Sequence, residues 1–260
     1  MILAAEYLGL LSYSAAYALV VAKKFNFIKV NESIKFTSCL IAVFTYGILL
    51  YQWIDTPLGH NINLFNIVSM IMWIMTIVLL LAATIHPVDN LLLLIIPATL
   101  FTMIFNILSP TASEMRTVID GPETMHIFLA LISISMLTVT GLQSGLLAIQ
   151  NYLLKTNPLH KLHSFLPPLE RNEKIWVLFL YISFIILTIT LLEAIIYLDN
   201  FEAVSVKLLF SVISWLVLFV ILWKHYNTGY KGMRSEMWSI LAFILLTWAY
   251  FGSKIFLGYN

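Results

Sequence analysis

Eight long apolar runs dominate the chain, and each has the length of a membrane-crossing helix. A helix needs about 20 mainly apolar residues to cross the hydrocarbon of a bilayer. The pattern therefore predicts an all-α, polytopic membrane helix bundle with about eight transmembrane helices. The predicted spans are Leu3–Val21, Phe36–Ile54, Leu64–Ala83, Leu91–Leu108, Met125–Leu153, Ile175–Leu198, Val204–Trp223 and Met237–Leu257.

The composition agrees with this interpretation. Hydrophobic residues make up 61% of the 260 residues and charged residues 10%, whereas a soluble domain has about 25% charged residues. The net charge is +1 and no basic stripe is present, so we expect no nucleic-acid partner. Cys39 is the one cysteine, which excludes an intrachain disulfide. Because every connection is short, we predict a single domain over residues 1–260.

The basic residues predict the orientation of the spans. The odd-numbered connections carry eleven of the 14 lysines and arginines, and the even-numbered connections carry two, Arg116 and Lys207. Positive residues are enriched in cytoplasmic loops. We therefore expect both termini outside, in a multi-pass protein of a bacterial inner (cytoplasmic) membrane. The first run reads as a retained span rather than a cleaved signal peptide, since nothing basic precedes it.

Span five has one polar helical face. At helical spacing it carries His126, Ser133, Thr140 and Ser144, with the small residues Ala130, Gly141 and Ala148 close by. Such a face belongs inside the bundle or along a cavity. A close helix–helix contact would need the same pattern, so the face alone leaves ligand binding by His126 open.

Span seven repeats this arrangement with a cation at one end and an imidazole at the other. Lys207 and His225 share a face with Ser211 and Ser214, and they stand ~27 Å apart along a helix. His225 also has the sequence context of an interfacial anchor, beside Trp223. Near the outer ends of spans six and seven, Glu193 and Lys207 predict an ion pair between neighbouring helices.

The chain resembles the inner-membrane cytochrome c assembly family, which includes the haem-handling proteins CcsA, ResC and CcmC, and within it most of all the YpjD/HemX branch. The similarity runs over almost the whole chain. It is carried by Met125–Phe128, Pro167–Glu170, Lys207–Trp215, Trp223–Tyr226, Gly229–Gly232 and Thr247–Ser253.

The resemblance implies an eight-helix bundle that presents haem at the outer membrane surface. It implies two haem-iron ligands at separate sites, His126 outside and His225 towards the cytoplasm, with Lys207 as a further haem-binding residue. Two features of the family are missing. Residues 197–207 lack the family's tryptophan-rich haem segment, and only Lys207 matches the motif that ends it. The family's second outer histidine has no counterpart after the last predicted span.

The two histidines cannot ligate one iron, because the charge pattern assigns them to opposite membrane faces. Outside, His60 remains as a partner for His126. Inside, the candidates for His225 are His86, His160, His163 or another subunit. Lys207, Lys254 and Arg116 are candidates for pairing with haem propionates.

Three functions follow as hypotheses. The first is a membrane protein of cytochrome c biogenesis, not an enzyme, that binds or guides haem at the outer face with another membrane assembly protein. The second is a cofactor-free accessory or regulatory subunit, for example of divalent-cation efflux, as resemblance to the YpjD/HemX branch implies. A transporter that uses Glu6 and Glu193 ranks last, because no broken-helix repeat is visible. No nucleophile–base pair or metal motif indicates an enzyme.

Overall fold

The computed structural model confirms the predicted fold class. It describes residues 2–56, 59–61, 63–108, 116–117, 121–156, 166–197, 201–229 and 232–252. In this part of the chain eight helices are long and apolar enough to cross a membrane. The described chain forms two compact units, Met1–Glu123 and Thr124–Asn260. The prediction of a single domain stays a prediction, as does the outward placement of both termini.

The first unit contains four of the spans. Its helices are α1 (Ile2–Lys24), α2 (Glu32–Ile54), α3 (Leu64–Ala83) and α4 (Asp89–Leu108). Helix α1 packs against α2 and α4, and α3 packs between α2 and α4. Three short antiparallel strands, absent from the sequence-based prediction, join the connections: β1 (Asp55–Thr56), β2 (Gly59–Asn61) and β3 (Arg116–Thr117).

Polar side chains connect the elements of the first unit by hydrogen bonds at buried positions, where water is not available as a partner. The Asn106 amide donates to Ser69 Oγ at 3.0 Å, and the buried Asn66 amide donates to the carbonyl of Asn61 in β2 at 2.9 Å. The indole of Trp73 donates to the carbonyl of Val43 in α2 at 2.8 Å. Each bond satisfies a group that would otherwise be desolvated without a partner, which is costly in lipid.

The second unit contains the other four spans. Its helices are α5 (Gly121–Thr156), α6 (Leu169–Tyr197), α7 (Phe201–Thr228) and α8 (Met233–Thr247). A π-helical turn, Trp248–Gly252, continues α8. Several helices extend beyond their apolar runs, because charged residues at the membrane interface can remain helical. In the α7–α8 connection, Gly229 and Gly232 have positive φ angles of 61° and 99°, which glycine adopts without strain.

The polar face of α5 is buried, as predicted. Ser133, Thr140 and Ser144 are at most 1% exposed. Thr140 shares a hydrogen bond of 2.7 Å with Ser183 of α6, and Ser144 donates to Ser239 of α8 at 2.9 Å. This face therefore holds α5 against two neighbouring helices over the middle of its length.

Gly141 allows α5 and α8 to approach closely, and replacing it tests that contact. A Cβ at this position would lie 3.0 Å from the ring of Phe243, whereas a Cβ at Gly145, about one turn further along α5, would meet nothing within 4 Å. We expect Gly141→Val to lower the free energy of unfolding by about 1–3 kcal/mol through overpacking.

Gly145→Val is the matched control for this experiment, with an expected change below about 0.5 kcal/mol. Both variants are measured by denaturant unfolding of the purified protein in detergent. Equal losses of stability for the two variants would contradict the close approach at Gly141.

Candidate functional site

A small recess in the second unit brings together two of the three residues predicted as haem ligands or haem contacts. His126 of α5 and Lys207 of α7 line it with residues of α6 and of the π-helical turn. The recess holds about 90 Å³. Its other lining residues are Leu187, Thr190, Leu191, Ala194, Leu208, Ser211, Ala249 and Tyr250. His126, at the start of the polar face of α5, therefore lines a recess, whereas Ser133, Thr140 and Ser144 further along the same face are buried.

Each functional side chain is positioned by the helix that carries it. His126 begins the polar face of α5, one turn before the buried Ala130. Lys207 begins the face of α7 that continues through Ser214 and Leu218, both fully buried. The two residues meet in the recess, because both begin the inward faces of their helices at the same end of the unit.

Glu193 of α6 is the direct partner of His126. Its Oε2 atom hydrogen-bonds to Nδ1 of the imidazole. The histidine side chain is 38% exposed and the glutamate side chain 11% exposed, so the carboxylate lies behind the ring and the ring remains accessible. A carboxylate on Nδ1 fixes the orientation of the imidazole and leaves Nε2 on the opposite side of the ring, as behind metal-binding histidines.

The sequence-based pairing of Glu193 with Lys207 is not what the structure shows. In the described part of the chain no ion pair joins these two residues, and Glu193 bonds to the imidazole instead. Both side chains lie near the same end of the unit, but helix rotation directs the carboxylate to α5. Glu193 Oε1 is buried without a hydrogen-bond partner. Lys207 is exposed at the rim of the recess.

His225 lies far from this recess. It occupies the last turn of α7, 18 residues after Lys207 and therefore ~27 Å further along the helix. Ser214, Leu218 and Ile221 between them are buried, which confirms the shared face. His126 and His225 therefore belong to opposite ends of the unit and cannot share one iron, as the sequence predicted.

The structure adds less about the other residues predicted as partners of the haem iron or of its propionates. His60 belongs to the first unit, where its Nδ1 atom lies 3.8 Å from Asp55 Oδ1. His160, His163 and Lys254 lie outside the described residues, and the side chain of Arg116 is likewise not described. No group of three or more His, Cys, Asp or Glu side chains that could hold a metal ion occurs in the part of the chain that was searched.

Comparison with known proteins decides the family. The model of the cytochrome c assembly protein family matches residues 32–259, which is most of the chain. The chain belongs to this family. It is also 29% identical over 254 residues to the inner membrane protein YpjD of Escherichia coli K12, with 95% of each chain covered. An uncharacterized 28.8 kDa protein of Azospirillum brasilense is 30% identical over 134 residues, about half of each chain. No solved structure matches.

Family membership and the eight apolar helices confirm the predicted multi-pass protein of the inner membrane. The recess can be tested against haem, the group that this family implies. Its 90 Å³ is well below the roughly 300–1,000 Å³ of enclosed small-molecule sites, so the described residues cannot enclose a macrocycle. The imidazole and the ammonium at its rim are groups that could hold a haem against the open side, His126 through the iron and Lys207 through a propionate.

Proposed function

We propose that this protein binds or guides haem at the outer face of the inner membrane, as a non-enzymatic component of cytochrome c biogenesis. The observation that carries the proposal is the imidazole of His126, held by Glu193 at the mouth of a recess that Lys207 also lines. This is the arrangement in which an imidazole binds iron well, because its second nitrogen is hydrogen-bonded to a carboxylate.

Each residue has a distinct role in this proposal. His126 would ligate the haem iron through Nε2, Glu193 would orient the ring, and Lys207 would offer an ammonium group to a propionate. Bound haem supplies the iron and the porphyrin that a cytochrome c receives. The protein holds this cargo at one exposed ligand rather than enclosing it, which suits a component that passes haem to another membrane assembly protein. His225 is assigned to a separate site at the opposite end of α7.

The test is the Soret absorbance of protein purified from haem-replete cells. We expect His126→Ala to remove the outer haem, and added imidazole to restore the band by occupying the vacated space. Glu193→Gln should weaken haem binding by about 10–100-fold without abolishing it, since it alters only the hydrogen bond behind the ligand.

Phe128→Ala, a change of an exposed residue two positions along α5, is the control and should leave the band unchanged. His225→Ala, measured alone and together with His126→Ala, separates the two predicted sites. Absence of stoichiometric haem, or a band that survives the double substitution, would refute the proposal.

A cofactor-free accessory or regulatory subunit, for example of divalent-cation efflux, is the second candidate. It is favoured by the small volume of the recess and by His126 being the one histidine among its described lining residues. A gene deletion distinguishes the two functions. Loss of c-type cytochromes with normal cobalt and magnesium tolerance supports haem handling, and altered metal tolerance with normal cytochromes supports the accessory role.

A further inference from the structure

One carboxyl group of the second unit is buried at the end where α5 and α7 end and α6 and α8 begin. It belongs to Glu236, in the first turn of α8, which is 1% exposed. Every other acidic side chain whose exposure the structure describes is half-buried or exposed. By the charge pattern of the connections, this end of the unit faces the cytoplasm. A buried ionisable group in a membrane helix is costly, so Glu236 needs a physical explanation.

The buried face of α8 holds this carboxyl against α5. Ser235, Glu236 and Ser239 are all buried, and their spacing places them on one side of the helix. Ser239 accepts a hydrogen bond from Ser144 of α5 at 2.9 Å. Glu236 Oε1 accepts one from the side-chain amide of Asn151, also of α5, at 2.6 Å. The carboxyl therefore lies within the contact between the two helices.

The two oxygen atoms of the Glu236 carboxyl have different surroundings. Oε1 has the amide of Asn151 as a donor, whereas Oε2 is buried and has no hydrogen-bond partner in the described part of the chain. An ionised carboxylate accepts hydrogen bonds at both oxygens, but a protonated carboxyl carries its proton on one of them. One neutral donor on one oxygen is therefore the pattern expected of the uncharged acid.

The nearby charges do not compensate a negative charge at this position. Glu173 of α6 repels a charge on Glu236, and this effect is larger than the attraction by Lys155 of α5. Lys155 is exposed, so water and salt screen its charge. The positive end of the α8 dipole favours a carboxylate in the first turn, but this effect is smaller than the cost of removing a carboxylate from water.

The remaining ionisable side chains at this end lie towards the surface. Those that the structure describes are Tyr152 of α5, Glu170, Arg171 and Lys174 of α6, Lys224, His225 and Tyr226 of α7, and Arg234 of α8. His225 is half-buried and the others are exposed. Glu170 and Lys174 pair with each other at 2.9 Å. Burial therefore has the largest influence on the protonation of Glu236.

We propose that Glu236 is a proton-binding site of the second unit. The carboxyl is neutral while α8 packs on α5, and it releases its proton to water when the two helices separate. Proton binding removes the charge of a buried carboxylate that has no cation beside it, which is how such groups are usually accommodated. The contact between α5 and α8 is thereby made sensitive to the proton concentration on the cytoplasmic side. This site is independent of haem binding at the opposite end of the unit.

The protonation state is tested directly by infrared spectroscopy of the full chain in detergent at neutral pH. A protonated carboxyl has a C=O stretching band that is separate from the bands of carboxylates and of the peptide backbone. We expect Glu236→Gln to remove one such band per chain. Glu170→Gln is the matched control, because its side chain is 77% exposed, and it should remove only carboxylate bands. Loss of carboxylate bands alone in Glu236→Gln would overturn the proposal.

The pH dependence of unfolding gives a second test. A glutamate in an unfolded chain ionises near pH ~4.3, whereas the folded protein keeps the proton on Glu236. Above that pH the folded state binds one more proton than the unfolded state, so stability falls as the pH rises. We expect this group to raise the unfolding equilibrium constant by up to about tenfold per pH unit. Glu236→Gln should lose this component and Glu170→Gln should retain it. An unchanged pH dependence in Glu236→Gln would contradict the site.

The stability of Glu236→Gln at neutral pH separates a neutral acid from an ionised one. Glutamine has the shape of the protonated side chain, and its oxygen can accept the hydrogen bond from Asn151. We therefore expect this variant to be at least as stable as the wild type, whereas a functional carboxylate would make it less stable or prevent folding. Exchange of sodium for choline at constant pH and ionic strength should have no effect. A sodium dependence that Glu236→Gln abolishes would assign the site to a metal cation and overturn the proton.

Discussion

Asp89→Ala is expected to lower the free energy of unfolding by about 3 kcal/mol, because it leaves a buried ammonium without its main partner. Lys35 is 6% exposed, and its shortest ion pair, 2.6 Å, is with Asp89. Glu32 still contacts Lys35 at 2.9 Å, so the loss should fall at the lower end of the 3–5 kcal/mol range for broken buried pairs. Asp89 also lies in the first turn of α4, where a carboxylate interacts favourably with the helix dipole.

Glu170→Ala is the control for this prediction. Glu170 pairs with Lys174 at 2.9 Å, but both side chains are more than two-thirds exposed, so the expected loss is below about 1 kcal/mol. Unfolding in mixed micelles measures both variants. In the double variant Lys35→Met/Asp89→Leu, most of the stability should return, because no buried charge remains unpaired. Similar losses of stability for Asp89→Ala and Glu170→Ala would contradict the assignment of Asp89 as the main partner of the buried Lys35.

Trp176→Ala is expected to cost about 3–5 kcal/mol of stability in the second unit. The indole is 1% exposed and is among the largest fully buried side chains. Its Nε1 donates to Ser144 at 2.7 Å, and Ser144 in turn donates to Ser239. The truncation therefore opens a cavity and also removes a donor from the network that joins α5, α6 and α8.

Two further variants separate these contributions. Trp176→Phe retains most of the volume and should cost about 1–2 kcal/mol, mainly the lost hydrogen bond. Trp238→Ala removes an indole that is 52% exposed, and it should change stability by less than about 1 kcal/mol. Equal effects of Trp176→Ala and Trp238→Ala would show that the buried network contributes nothing.

The stability of the second unit also depends on a polar cluster that the sequence did not indicate. The Asn172 amide donates to Gln150 Oε1 at 2.8 Å, and Gln143 donates to the Asn172 carbonyl at 3.1 Å. Asn151 donates to the buried Glu236 at 2.6 Å. These residues are scattered along three helices in sequence, and each looks like an isolated polar position until the helices pack.

Lys35 illustrates the same difficulty in the first unit. The charge pattern places Lys35 with the basic residues of the first connection, yet it lies in the first turn of α2 and is buried. Its role depends on Asp89, 54 positions away in sequence. Its contribution to the charge bias was predictable, because that bias depends only on which residues flank a span. The pairing of Lys35 with Asp89 was not predictable, because that pairing depends on the contact between α2 and α4.

The sequence by itself determined the eight helices, their boundaries to within six residues and the polar faces of α5 and α7. The physical reason is that a bilayer requires every backbone group of a lipid-exposed segment to be bonded locally, so an apolar run of sufficient length must be helical. Only the tertiary structure decided that Glu193 bonds to His126 rather than to Lys207, and that the recess beside them is too small to enclose haem. Those outcomes depend on the rotation and separation of neighbouring helices, which are set by side-chain packing over the whole unit.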